Sequence, residues 1–166
     1  NSERGNLHGS IMRVLEKQDN PSALEFSSSE FLSGGQSGGI TCPDNLTFDP
    51  RGNLWVTNDV SGKDLDRREY RPFGHNGLFY IPMAGEHAGR VFQVAAGPRE
   101  AELTGPKFSP DGTTLFLSVQ HPGEESKTGG TYTSHWPDGG SSKPRPAVVA
   151  IQGPALTALA VARGPA

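Results

Sequence analysis

One cysteine, Cys42, stands in 166 residues, which excludes an internal disulfide framework and any multi-cysteine zinc site and leaves the redox compartment open. No apolar run approaches the ~18–20 residues of a membrane-spanning helix, and this chain shows no signal-peptide pattern. Hydrophobic residues make up only 33% and mean hydropathy is −0.51, so either much of the chain is loop or its core is completed by other parts. The 15 Lys and Arg are outnumbered by 18 Asp and Glu, for a net charge of −3. They are also scattered, so no basic stripe forms and nucleic acid is excluded as a partner. G-x-S-x-G, H-E-x-x-H, the P-loop and the dinucleotide fingerprint are all missing, which removes the anchors for serine-hydrolase, zincin, nucleotide-cradle and Rossmann readings.

What is abundant is turn chemistry. Twenty-two Gly and 14 Pro make about a fifth of the chain, well above average usage, so strands are short and turns frequent. Apolar runs bounded by Gly, Pro, Asn or Asp predict strands at 9–15, 24–31, 46–49, 54–57, 77–82, 90–95, 106–109, 114–119 and 147–151, with helix confined to a turn at most. Asp49-Pro50-Arg51-Gly52, Met83-Ala84-Gly85 and Ser109-Pro110-Asp111-Gly112 each fold two strands back on one another. Pro presets φ at the second turn position and Gly accepts a positive φ near the end.

Two hairpins read as copies: Leu46–Val56 aligns with Pro106–Leu117 at an offset of 60 residues, Phe48 to Phe108 and Gly52 to Gly112. With the hairpin at 77–95 between them, each period supplies about four strands, the content of one blade of a β-propeller. The competing architecture is a β-sandwich; matching turns in matching hairpins favour the propeller. The expectation is an all-β chain forming a partial β-propeller, about two to three blades of a six-bladed ring, over residues 1–152. Residues 153–166 are expected to be an irregular or disordered tail. Val60–His75 reads as an exposed charged loop, and Gly123–Arg145 as a long surface excursion.

Candidate chemistry lies where these strands begin and end. Pro43-Asp44-Asn45 precedes one inner strand and Asn58-Asp59 closes its partner. Carboxylates beside a carboxamide are the hard-oxygen donors calcium prefers, though Asp and Asn are equally ordinary turn and cap residues. In the second copy Glu102 precedes the strand and His121 follows its partner. His121 is a candidate metal ligand or acid/base, or a plain loop histidine; Glu124 and Glu125 read most simply as a solvated edge. Cys42 has no adjacent basic residue to activate its thiol and reads as a small buried hydrophobe. Trp55 and Phe116 read as core, and Arg67, Arg68 and Arg71 suit an exposed loop as well as a phosphate.

The ordered set Cys42-Pro43-Asp44-Asn45-Leu46-Thr47-Phe48-Asp49-Pro50-Arg51-Gly52-Asn53-Leu54-Trp55, Asn76-Gly77-Leu78-Phe79, Glu102–Gly112, Gln120-His121-Pro122-Gly123-Glu124 and Ser134–Gly139 resembles the C-terminal part of the PhoX-type secreted alkaline phosphatases, from about Gly9 to Ile151. The resemblance implies a six-bladed propeller that hydrolyses phosphate monoesters with calcium and iron at its axial face. It carries metal-site roles to Asp44, Asn45 and above all Glu102, with Asp59 beside them. It places His121 in a matching Q-H-P-G-E motif as the candidate catalytic residue. A larger N-terminal portion, holding further ligands that include a cysteine not replaced by Cys42, is expected to lie outside this sequence.

The remaining propeller blades of the parent chain are therefore expected partners alongside a small phosphate ester, and the isolated piece is expected to be inactive and prone to self-association. The parent is expected in the periplasm or secreted, and no membrane partner is expected. The alternatives are a calcium-dependent propeller hydrolase of the gluconolactonase type, which shares D-P-x-G-N-L-W turns, and a non-catalytic binding propeller.

Overall fold

The structure, a computed structural model, describes residues 5–160. All nine predicted strands form: β1 (Ser10–Glu16), β2 (Phe26–Ser33), β3 (Pro43–Phe48), β4 (Leu54–Asn58), β5 (Gly77–Ile81), β6 (Phe92–Ala96), β7 (Glu102–Phe108), β8 (Thr114–Gln120) and β9 (Ala147–Gln152). They pair antiparallel in chain order into three sheets, β1-β2, β3-β4-β5-β6 and β7-β8-β9. The four-stranded sheet has the content of one whole propeller blade. The sheets on either side are wedges with two and three strands, so the fold is a partial propeller.

The predicted copies are real at the level of the turn. Gly52 N–H donates to Asp49 C=O at 2.9 Å and Gly112 N–H to Ser109 C=O at 2.8 Å. Both glycines lie in the left-handed region, at φ 81° and 72°, where a side chain would be strained. The strands on both sides of each turn pair in register, Phe48 with Leu54 and Phe108 with Leu115.

Two apolar seams hold the wedges side by side. Ile11, Ile40, Leu54, Val56, Phe79 and Ile81 fill the seam between the first and second sheets. Trp55, Leu78, Leu103, Leu115, Leu117 and Val119 fill the one between the second and third. Both faces of the central sheet are thus covered, which explains why every residue of β4 is buried where a one-sided strand would alternate.

The structure corrects the sequence reading in three places. Pro154–Ala160 forms a short helix, α1, not an irregular tail, because Leu156 inserts into the second seam and is buried there; residues 161–166 of the expected tail lie outside the described residues. The charged loop carries a 3-10 segment at Arg68–Phe73, and Lys17–Asp19 forms a turn in which Gln18 and Asp19 are left-handed, at φ 57° and 52°. Third, β3 and β7 begin at Pro43 and Glu102, so Asp44, Asn45 and Glu102 belong to the strands themselves instead of preceding loops. No helix among the described residues is long and apolar enough to cross a membrane.

Outside the seams, the hairpin β1-β2 presents Met12, Val14 and Phe26 at 56%, 56% and 67% exposure, and β9 presents Val148 at 67%. Sheet faces this apolar and uncovered associate. Sedimentation velocity is expected to show concentration-dependent oligomers, reduced by Phe26→Lys; a monodisperse wild-type monomer across concentrations would contradict this.

Candidate active site

The site is built where β3 and β7 begin, side by side in adjoining wedges. Each carries a register irregularity near its start, between Pro43 and Leu46 in one and Thr104 and Lys107 in the other. Bulges of this kind re-aim side chains that a regular strand would point along its faces. The two bulges are stitched together. Asn45 Oδ1 accepts from Gly105 N–H at 2.7 Å and from the Thr104 hydroxyl, while its Nδ2 donates to Asp44 Oδ2 at 2.6 Å. Asn45, expected as a cation ligand, therefore has both lone pairs of its oxygen engaged and serves here as the clamp between wedges.

Glu102 opens β7 opposite Gln120, the last residue of β8. His121 follows at once, and its Nε2 lies 3.4 Å from Glu102 Oε2. Its Nδ1 lies 3.9 Å from Glu124 Oε2, which accepts from Gly62 N–H at 3.3 Å. His121 has φ 32°, a conformation that costs a non-glycine residue about 1–3 kcal/mol and is found where surrounding structure enforces it. Gly123 N–H, donating to Arg99 C=O at 2.9 Å, supplies part of that enforcement.

Asp59 follows β4, with its N–H on Cys42 C=O at 3.0 Å. The next residue, Val60, is gripped by buried Asn76, which accepts from Val60 N–H at 2.8 Å and donates to Val60 C=O at 2.9 Å. The electrostatics bind these groups into one cluster. Burial, then the charges of Asp44 and Glu124, push the Asp59 carboxyl above its usual range, with His121 opposing. Burial, then Asp59 and Asp44, push Glu102 upward too, against the hydrogen bond and charge of His121. Two carboxyls that resist ionisation, through burial first and the neighbouring acids second, form an anionic cluster that a divalent cation would relieve. Among the described residues no three His, Cys, Asp or Glu side chains already stand close enough to cage a metal. The fit is therefore one of donor chemistry, all hard oxygen with one imidazole.

Sequence reasoning missed three groups. Glu124, a solvated edge by sequence, faces His121; its place in the Q-H-P-G-E run is the available signal. Glu100 carried none. It is buried, accepts from Glu125 N–H at 3.1 Å and from the Thr133 hydroxyl, and pairs with Arg99 Nε at 3.1 Å. It thereby ties the start of the long excursion to the wedge beneath, and these hydrogen bonds outweigh burial and hold its carboxyl below the usual range. The role of Thr104 as partner of Asn45 depends on a contact 59 residues away in sequence. Cys42 has its Sγ 3.6 Å from Thr41 Oγ1 and lies beside Tyr70, whose hydroxyl is pushed up by burial first and by Cys42 next.

A family model described as "Alkaline phosphatase PhoX" matches residues 1–123, a span that includes Asp44, Asp59, Glu102 and His121. The solved structure of Pseudomonas fluorescens PhoX, in complex with vanadate, a transition state analogue, superposes with a TM-score of 0.74 at 28% sequence identity. The superposition covers 88% of this chain and 26% of that one. No curated protein matches this sequence.

Proposed function

Since this chain belongs to the PhoX family of alkaline phosphatases, we propose that it contributes one sector of the active face of a metal-dependent phosphatase acting on small phosphate monoesters in the periplasm or outside the cell. The observation that supports this reading is that Asp44, Asp59, Glu102 and His121 stand at adjoining ends of β3, β4, β7 and β8, near enough to influence one another's charge and with Glu102 and His121 in direct contact, all within the matched span. Its counterpart in sequence was a 60-residue repeat with acids before each inner strand.

Asp44, Asp59 and Glu102 would hold calcium, which when bound polarises phosphoryl oxygens and offsets the charge that grows on the attacking and leaving oxygens. Glu102 Oε2 lies 3.4 Å from His121 Nε2, whereas Nδ1 is 3.9 Å from Glu124, too far for a hydrogen bond, so Nδ1 is the nitrogen that would accept or return a proton at the leaving alcohol. The clamp through Asn45 keeps the two wedges, and hence the acids on each, at one spacing. Iron is the second metal the resemblance implies. Cys42, the soft donor here, is engaged with Thr41 and Tyr70, so any iron ligands from this sector would be the imidazole and carboxylates.

Because the chain spans 26% of the length of the PhoX structure, the rest of the ring is required for turnover. The purified chain with calcium is expected to bind vanadate, measured by isothermal titration calorimetry, and to lose that binding with chelator. It is expected to leave p-nitrophenyl phosphate unhydrolysed at background rate even with calcium and iron. No vanadate binding in saturating calcium would remove the reading of this sector as a phosphoryl-binding part of the active face; robust turnover would remove the requirement for further blades.

A further inference from the structure

Beside the carboxylate cluster lies a second recess of about 310 Å³ that shares His121 and Glu124 with it and is otherwise walled by the excursion after Gly123, including Lys127, Tyr132 and Lys143. The wall is shaped without any ligand. Gly130 N–H donates to Lys127 C=O at 2.9 Å, closing a turn, and Thr133 N–H donates to Ser126 Oγ at 3.0 Å, closing the loop around it. Charge on this segment divides sharply. Arg145 is spent in a two-pronged pair with Asp138, at 2.9 and 3.0 Å. Lys127 and Lys143, both exposed, have no acidic partner among the described residues, and both line the recess. Glu124, a carboxylate on this wall, is turned to His121 and Gly62. Two exposed lysines without an acidic partner among the described residues thus line the same recess as the candidate acid/base and Glu124, in a segment that begins where the family match ends at residue 123.

We propose that this recess receives the alcohol half of the phosphate ester, and that Lys127 and Lys143 select substrates whose alcohol half carries a second anionic group, a carboxylate or another phosphate. The inference rests on the phosphatase reading above: an ester whose phosphoryl group sits at the carboxylate cluster directs its alcohol past His121 into this recess. Ammonium groups recognise such anions as point charges, without the planar geometry a guanidinium would impose.

The test compares paired ligands on the whole calcium-loaded chain by isothermal titration calorimetry at low ionic strength. 3-Phosphoglycerate against glycerol 3-phosphate reads the carboxylate, and fructose 1,6-bisphosphate against fructose 6-phosphate reads the second phosphate. Wild type is expected to favour the doubly anionic member of at least one pair roughly tenfold, the scale of two solvent-exposed ion pairs, and which pair responds identifies the anion. In the double variant Lys127→Gln, Lys143→Gln the ratio is expected to fall to about one, while Lys107→Gln, at the far end of β7, keeps it. Glycerol 3-phosphate and 3-phosphoglycerate bound equally, together with no preference in the fructose pair, would overturn the selectivity and leave the phosphatase reading standing. So would a preference that survives the double variant. Failure of all four esters to bind, with calcium bound, would overturn both.

Discussion

Glu102→Gln is expected to weaken calcium binding by at least 100-fold while leaving the strand pairing of β7 and β8 intact. The amide keeps the shape of the side chain and can still meet His121 Nε2, which lies 3.4 Å from the carboxylate; what it removes is charge. A unit charge within about 4 Å of another, at an effective dielectric near 20, is worth roughly 4 kcal/mol, so 100-fold, about 2.7 kcal/mol, is a modest demand. In the metal-free chain the same substitution acts in the opposite direction. Glu102 has its folded-state carboxyl raised by burial and by Asp59 and Asp44, so at neutral pH its ionised form opposes folding. That penalty begins to lift as pH falls through the raised folded value and is gone below the ordinary carboxylate range. The variant never carries it. Thermal unfolding at neutral pH should therefore show a higher midpoint for Glu102→Gln than for wild type in chelator, and the reverse order in saturating calcium, because only the wild type gains stability from the bound ion. Equal calcium affinities in the two proteins would sink the assignment of Glu102 to the site.

The fold was legible because its determinants are local. Two of the three predicted turns place Pro and Gly at the same offsets, and Asp49 and Ser109 accept the turn hydrogen bond as the spacing requires. The apolar runs between turns then had one way to pair. The helix at Pro154–Ala160 was not legible, because an Ala-rich heptapeptide has no helix signal strong enough to stand alone; it is Leu156 docking into a seam made by distant strands that holds it. The candidate site divides in the same way. Asp44, Glu102 and His121 could be found because they flank the inner strands of the two hairpin copies, close in sequence to recognisable turns. The clamp role of Asn45 and the part played by Glu124 depend on which wedge adjoins which, and no window of sequence carries that. The two lysines of the second recess lie in a segment that reads as surface excursion by composition, and only the folded path brings both to His121.

The seam between the second and third wedges concentrates on one side chain, and removing it gives the largest loss of stability expected anywhere in the chain. Trp55 is 4% exposed and its ring packs on Tyr80 of its own sheet at 5.1 Å and on Phe108 of the next at 5.6 Å. Its indole Nε1–H donates to Asp49 Oδ2 at 3.1 Å, and the other oxygen of that buried carboxylate accepts from Arg51 and Asn53 N–H at 2.8 and 3.0 Å. Trp55 thus joins a turn, a blade and its neighbour. Trp55→Ala is expected to cost about 3–5 kcal/mol, the range for deleting a large buried aromatic, and to lower the thermal midpoint by roughly 10 °C. Trp55→Phe keeps most of the packing and loses the donor to Asp49; it is expected to cost about 1–3 kcal/mol, the penalty for leaving a buried acceptor short of a partner. Urea unfolding followed by circular dichroism separates the two variants by midpoint at constant slope. Because Phe108 lies on the strand that begins with Glu102, the alanine variant should also loosen the spacing of the acids and weaken calcium binding, whereas the phenylalanine variant should bind calcium as wild type does. If Trp55→Ala proved no less stable than Trp55→Phe, the two wedges would not share a core through this residue, and the convergence of Asp44 with Glu102 would lose its mechanical support.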